Sequence, residues 1–148
     1  MFNYSKLGQA GIAAVSYLAE IHGEKRLAGS AEIAEARGLS RALVAKILTN
    51  LSAAGLVAGK SGPTGGYQLS RVPAKISLLD VVRVFDNVEG IVMCPFGPHW
   101  CGIREKCPLH DQLFKMRDAV RAKLQRETFA QFGKTERRVR WRKKETIK

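Results

Sequence analysis

From Ser5 to about His22, apolar side chains recur at Leu7, Ala10, Ala14, Val15, Leu18 and Ile21, the spacing of a helix with one buried face. A short second helix is predicted over Ala31 to Arg37. Ser30 suits its N-cap, Glu32 and Glu35 suit its first turns, and Gly38 can end it in the left-handed conformation. Ser40 then caps a third helix that carries Leu43, Val44, Ile47, Leu48 and Leu51 on one face and stops near Gly55. Two helices joined by a tight glycine-containing turn have the layout of a helix-turn-helix. Leu56-Val57-Ala58 reads as a strand, Gly59 to Gly66 as a turn-rich loop, and Tyr67-Gln68-Leu69 as the return strand. A hairpin in that position makes the unit a winged helix. Glycines at its tip allow close approach to a phosphate backbone, and Lys60 supplies charge. A nucleotide-binding loop is disfavoured by the lack of a Walker-type lysine motif. Further on, Leu109, Leu113, Met116, Val120 and Leu124 form an apolar seam on a long helix whose other faces carry Asp111, Lys115, Arg117, Asp118, Arg121 and Lys123. Thr128 to Phe132 should pack back onto the first helix.

A chain of 148 residues with 45% apolar content holds one ordinary domain. No apolar run reaches the length of a membrane span, and the N-terminal residues lack the pattern of an export signal. Three cysteines, an odd number, argue against a secreted disulfide framework and for a reducing cytoplasm. The net charge of +12 favours a polyanionic partner, with nucleic acid ahead of an anionic membrane surface. The charge is uneven, because residues 134–148 hold eight Lys and Arg against two Glu. That stretch reads either as a solvated, disordered tail or as a basic arm on DNA phosphates beside Trp141. His22 has no identifiable catalytic partner and no motif for an enzyme is present, so an enzyme is not expected.

All three cysteines lie between Cys94 and Cys107, with His99 inside that stretch and His110 three residues beyond it. Thiolates gathered in a Pro- and Gly-broken loop, with an imidazole close by, suggest an iron–sulfur or soft-metal site. Zinc bound as Cys3His and a metal-free thiol sensor are the other readings. Zinc sites usually hold cysteines two to four residues apart, closer than these. Pro108 is placed for the first position of the following helix, which would set Cys107 at that helix's positive end.

Leu51-Ser52-Ala53-Ala54-Gly55-Leu56-Val57, then Gly62-Pro63-Thr64-Gly65-Gly66-Tyr67-Gln68-Leu69, then a helix opening Ile76-Ser77-Leu78-Leu79-Asp80, and then the cysteine loop together resemble the Rrf-two family. These are small dimeric winged-helix regulators of bacteria, among them regulators of cluster assembly, iron and cysteine metabolism and sensors of nitric oxide. The resemblance runs from about Ser5 to Phe132 and implies that Cys94, Cys101 and Cys107 hold a cluster. Cys107-Pro108-Leu109-His110 is similar to the Cys-x-x-His of cluster-assembly regulators, which implies His110 as fourth ligand and a 2Fe–2S cluster, with 4Fe–4S as the alternative. Nitric-oxide sensors instead use an aspartate near the N-terminus, where this chain has Gly8 and no acid before Glu20. The chain departs from cluster-assembly regulators in a first cysteine gap of six residues, one longer than theirs, and in Ala45, which stands where they carry an acidic residue of the recognition helix. The family's layout makes the seamed helix after the loop a dimerisation helix.

The expected fold is mainly α with a small β-hairpin wing: a winged helix-turn-helix plus a long C-terminal dimerisation helix. Residues 1–89 would form the DNA-binding domain, 90–108 the cluster loop, 109–133 the dimerisation helix and end of the fold, and 134–148 the basic, disordered tail. The expected partners are double-stranded DNA with a palindromic operator and a second copy of the chain, with no membrane. Ser40, Arg41, Ala42 and Leu43 should face the major groove, with Lys46 on a phosphate or base edge. Lys60, Ser61, Thr64, Gly65 and Tyr67 should serve the wing, and Ser5 and Lys6 should touch the backbone. Thiol oxidation or a partner protein would replace the cluster as the control if the loop binds no metal. Truncation after Gly133 should weaken binding to a scrambled duplex and leave site choice intact. Affinity measured against salt on both duplexes checks this; a truncated protein that lost only its operator preference would show that the tail reads sequence.

Overall fold

Ser5 starts the first helix by accepting a hydrogen bond on its hydroxyl from the Gly8 N–H at 2.9 Å. The structure, a computed structural model, describes residues 4–88 and 105–133, and the statements that follow concern those residues. α1 (Lys6–Glu20) buries Ala10, Ala14, Val15, Leu18 and Ala19 and forms the axis of the core. Small residues on α1 admit close neighbours, since the Phe85 ring packs against Gly11 and the Asp86 carboxylate against Gly8.

α2 (Ser30–Arg37) begins one residue earlier than expected, and Gly29 is its cap residue. The cause lies upstream: Ala28 exchanges two backbone hydrogen bonds with Tyr67 (2.8 and 3.0 Å), which holds it extended, and the Gly29 carbonyl then accepts from Ile33 N–H at 3.1 Å. Ser30 therefore sits inside the helix and caps nothing. Gly38 ends α2 at φ +65°, as anticipated. The Ser40 hydroxyl caps α3 (Arg41–Ala53) through the Leu43 N–H at 3.2 Å, and Val44, Ile47, Leu48 and Leu51 are fully buried.

The hairpin pairs β1 (Val57–Lys60) antiparallel with β2 (Gly66–Leu69), in the register Val57 to Leu69 and Lys60 to Gly66. β1 runs two residues further than expected because Gly59 and Lys60 stay in register with Tyr67 and Gly66, while Leu56 turns into the core. Gly66 lies at φ +151° against the backbone of Ala28, so a side chain there would strain the chain and collide.

A capping box starts α4 (Leu78–Phe85): Asp80 N–H donates to the Ser77 hydroxyl (3.1 Å) and Ser77 N–H to the Asp80 carboxylate (2.9 Å). α5 (His110–Arg126) buries Leu124 against Leu79, Val82 and Val88. Two backbone bonds, Leu78 N–H to Glu127 O and Phe129 N–H to Ile76 O, fasten the chain after α5 to the start of α4. Phe129 is buried in the main core and stacks on Phe132 of α6 (Ala130–Gly133), so this end packs against α1 as expected.

Pro108 does not open α5. Cys107 to His110 form a tight turn closed by His110 N–H on the Cys107 carbonyl (3.0 Å), Leu109 takes the boundary position, and the helix begins two residues later than expected. Of the expected loop 90–108, only Glu105 to Pro108 are described. The tail 134–148 lies outside the described residues.

One buried charge joins α1 to α2. The Arg37 side chain is 2% exposed, with Nη2 on Glu20 at 2.7 Å and Nε on the Ser16 hydroxyl and the Ala13 carbonyl (3.1 and 3.2 Å). The Tyr17 ring lies 5.2 Å from the guanidinium carbon. Removing one partner of such a pair leaves a buried charge uncompensated. Arg37→Ala should therefore cost about 3–5 kcal/mol of stability, read as a lower urea midpoint, whereas Arg26→Ala in the exposed Glu24–Arg26–Glu32 cluster should cost under about 1 kcal/mol.

Candidate nucleic-acid interface and cysteine loop

Burial divides α3 sharply. Arg41, Ala42 and Lys46 are exposed, whereas Leu43 is half-buried and packs against the core, which turns it away from an incoming partner. Ala45, which stands at the recognition-helix position noted above, and Thr49 share the outward face with Ala42; the spacing of three and four residues carried that signal, but Thr49 was not anticipated. The Thr49 hydroxyl donates to the Ala45 carbonyl at 3.0 Å.

In the wing, Lys60 ends β1, and Ser61 and Thr64 are exposed at the tip. Gly65 N–H donates to Gly62 O at 2.9 Å and closes the turn. Tyr67 is half-buried, its ring packs against Gly59 and its backbone is committed to Ala28, so it braces the wing from behind. Arg71 just after β2 and Lys75 in the turn Pro73–Lys75 are further exposed cations. Arg26 is held by Glu24, Tyr17 and Glu32, which raise its pKa above the ordinary value, so that cation stays charged but is already engaged by acids.

Ser5 and Lys6 stand at the start of α1, and Lys6 is exposed. The Ser5 N–H meets both oxygens of the Asp86 carboxylate at 3.3 Å. An acid thus arrives beside Ser5 and Gly8 from Asp86, 81 positions beyond Ser5 and outside the reach of any local pattern. Tyr4 lies close by, and burial followed by the Asp86 charge raises its pKa.

Of the anticipated cluster ligands, Cys107 and His110 are described, and Cys94 and Cys101 lie outside the described residues, as does His99. Cys107 is a half-buried free thiol, and a backbone turn links it to His110 at the head of α5. The His110 ring stacks on Phe114 at 4.2 Å, and Arg117 covers that phenyl ring at 4.3 Å. Among the described residues no group of three His, Cys, Asp or Glu could hold a metal ion. No helix among them is long and apolar enough to cross a membrane.

A capped recognition helix and a glycine-tipped wing define a winged-helix, DNA-binding transcription regulator. Residues 4–135 match the Rrf2 (Rrf-two) family, described as an iron-dependent transcriptional regulator, and the chain belongs to that family. An HTH-type transcriptional regulator of Aquifex aeolicus (strain VF5) is 34% identical over 90 residues, which span 61% of this chain and 61% of that relative. The structure of CymR, the global cysteine regulator of B. subtilis, is similar with a TM-score of 0.73 and 28% identity, over 90% of this chain and 97% of that one. T. potens IscR is similar with a TM-score of 0.69 and 26% identity, over 87% and 84%. The family and these relatives are transcriptional regulators, not enzymes.

Lys60→Ala should weaken operator and scrambled duplex alike and lower the salt slope by about one. Arg41→Ala should relax preference at particular base pairs by about 1–3 kcal/mol if the guanidinium grips a guanine edge. Titrations at several salt concentrations distinguish the two; a Lys60→Ala protein that changed preference alone would displace the wing from the phosphates.

Proposed function

We propose that this protein is a homodimeric regulator whose binding to a palindromic operator is set by an iron–sulfur cluster on Cys94, Cys101, Cys107 and His110. The observation that supports the cluster is the backbone turn Cys107–His110, which places a free cysteine and a histidine three residues apart at the head of α5. Thiolate is a soft donor and imidazole a borderline one, and both are ligands of iron. A bound cluster would supply a charge and an occupancy that respond to iron supply, redox state or nitric oxide. Imidazole as one ligand favours 2Fe–2S over 4Fe–4S.

Dimerisation is supported by α5 itself. Leu109, Met116 and Val120 of its apolar seam are 49%, 54% and 40% exposed, whereas Leu124 is buried. A matching seam from a second copy would cover them and give the assembly a two-fold axis suited to a palindrome. On DNA, Ser40, Arg41, Ala42 and Lys46 would enter the major groove, with Leu43 supporting them from the core side. Lys60, Ser61, Thr64 and Gly65 would follow the backbone, with Tyr67 bracing the wing, and Ser5 and Lys6 would meet phosphates. Such a regulator works in the cytoplasm. The likeness to CymR and the free, half-buried Cys107 thiol favour a second reading, in which thiol oxidation or a partner protein replaces the cluster.

Anaerobic purification should yield a coloured protein with about two iron and two sulfide per chain. Cys94→Ser, Cys101→Ser, Cys107→Ser and His110→Ala should each lose or alter the chromophore while keeping the far-ultraviolet signal of the helices. The cysteine variants should change operator binding as a group. A colourless anaerobic protein whose operator affinity followed thiol oxidation would establish the second reading instead.

A further inference from the structure

Beyond Arg41 at its start, the solvent face of the recognition helix is short of groups that form paired hydrogen bonds to bases. Its exposed residues are Arg41, Ala42, Ala45, Lys46, Thr49, Ser52 and Ala53. Arg41 and Lys46 offer charge at the N-terminal end, and Ser52 lies in the last turn, away from the end that enters the groove in helix-turn-helix proteins. Asn50, the amide that could grip an adenine, is half-buried and about 100° around the helix from Thr49. The Thr49 hydroxyl spends its proton on the Ala45 carbonyl, so toward a base it can only accept, and the Thr49 methyl group remains as an apolar contact. Ala42, Ala45 and Thr49 therefore present three methyl groups along one line of the helix, with cations at the side. Helix-turn-helix geometry and family membership place this face against bases; its small side chains alone would not.

We infer that α3, beside any guanine contact made by Arg41 at its N-terminal end, reads the 5-methyl groups of thymines through Ala42, Ala45 and Thr49. This rests on the DNA-binding surface proposed above and adds the chemistry of the sequence it takes. In the major groove the thymine methyl is the apolar group that a base edge presents, and alanine and threonine methyls are its partners. A carboxylate or amide at Ala45 would demand a donor from cytosine or adenine; a methyl makes no such demand.

The test starts with selection from a random duplex library by the full-length protein. Each enriched half-site should retain at least one thymine. Resynthesis with deoxyuridine at that thymine removes only the methyl and should weaken binding about four-fold, the value of burying one such group. Thr49→Ser removes the partner methyl and keeps the hydroxyl; it should abolish the deoxyuridine penalty at one thymine per half-site and leave binding to a scrambled duplex unchanged. Equal affinity for thymidine and fully deoxyuridine-substituted sites would overturn the inference while leaving the DNA-binding surface intact. An unchanged penalty in Thr49→Ser, Ala45→Gly and Ala42→Gly alike would also overturn it. A library from which nothing is enriched would overturn both this inference and the surface on which it rests.

Discussion

Burial of the Arg37 guanidinium against α1 is the constraint on which the DNA-facing half of the molecule depends. A charge removed from water must find partners of its own, and these come from one side: the Glu20 carboxylate, the Ser16 hydroxyl and the Ala13 carbonyl, all on α1. Hydrophobic contact alone would let α2 slide along its neighbour. Directional bonds to three residues in successive turns of α1 do not allow that. The first helix of the helix-turn-helix is thereby locked to the core axis, and Gly38 and the Ser40 cap hand that orientation on to α3.

The wing is tied to the same frame by a second directional contact. Ala28 and Tyr67 exchange two backbone bonds, so the residue just before α2 serves as a third, one-residue edge to the hairpin. Recognition helix and wing are therefore carried by one rigid assembly, which suits a surface that must meet a groove and its flanking phosphates together. On the opposite side, the chain after α5 is fastened to the start of α4, and Phe129 fills the main core. That leaves α5 anchored at Leu124 with Leu109, Met116 and Val120 of the apolar seam facing solvent. The turn Cys107–His110 stands at the head of this helix, so a group bound there would act next to the proposed dimer contact.

Features that depend on local chemistry were legible in the sequence. The serine cap at Ser40, the glycine stop at Gly38, the buried stripe of α3 and the glycine-rich hairpin all follow from short-range preferences. Features that depend on distant partners were not. Ser30 reads as a cap, but the Ala28–Tyr67 bridge moves the helix start to Gly29; Pro108 reads as a helix opener, but the turn closed on Cys107 delays α5. An arginine ending a short helix reads as surface, and its burial shows only once α1 is packed beside it. Asp86 reaches Ser5 across 81 positions. The proposed DNA surface divides in the same way: the exposed cations were readable, whereas the inward turn of Leu43 and the bracing role of Tyr67 are properties of packing.

Amide hydrogen exchange of the full-length protein, with and without a selected operator duplex, tests most directly whether α3 and the wing together form the DNA surface. Protection should rise in the first turns of α3, from Arg41 to Lys46, and in the wing from Lys60 to Tyr67, while the face of α1 near His22 stays unchanged. Operator-dependent protection confined to other segments, with α3 and the wing unaffected, would contradict the account.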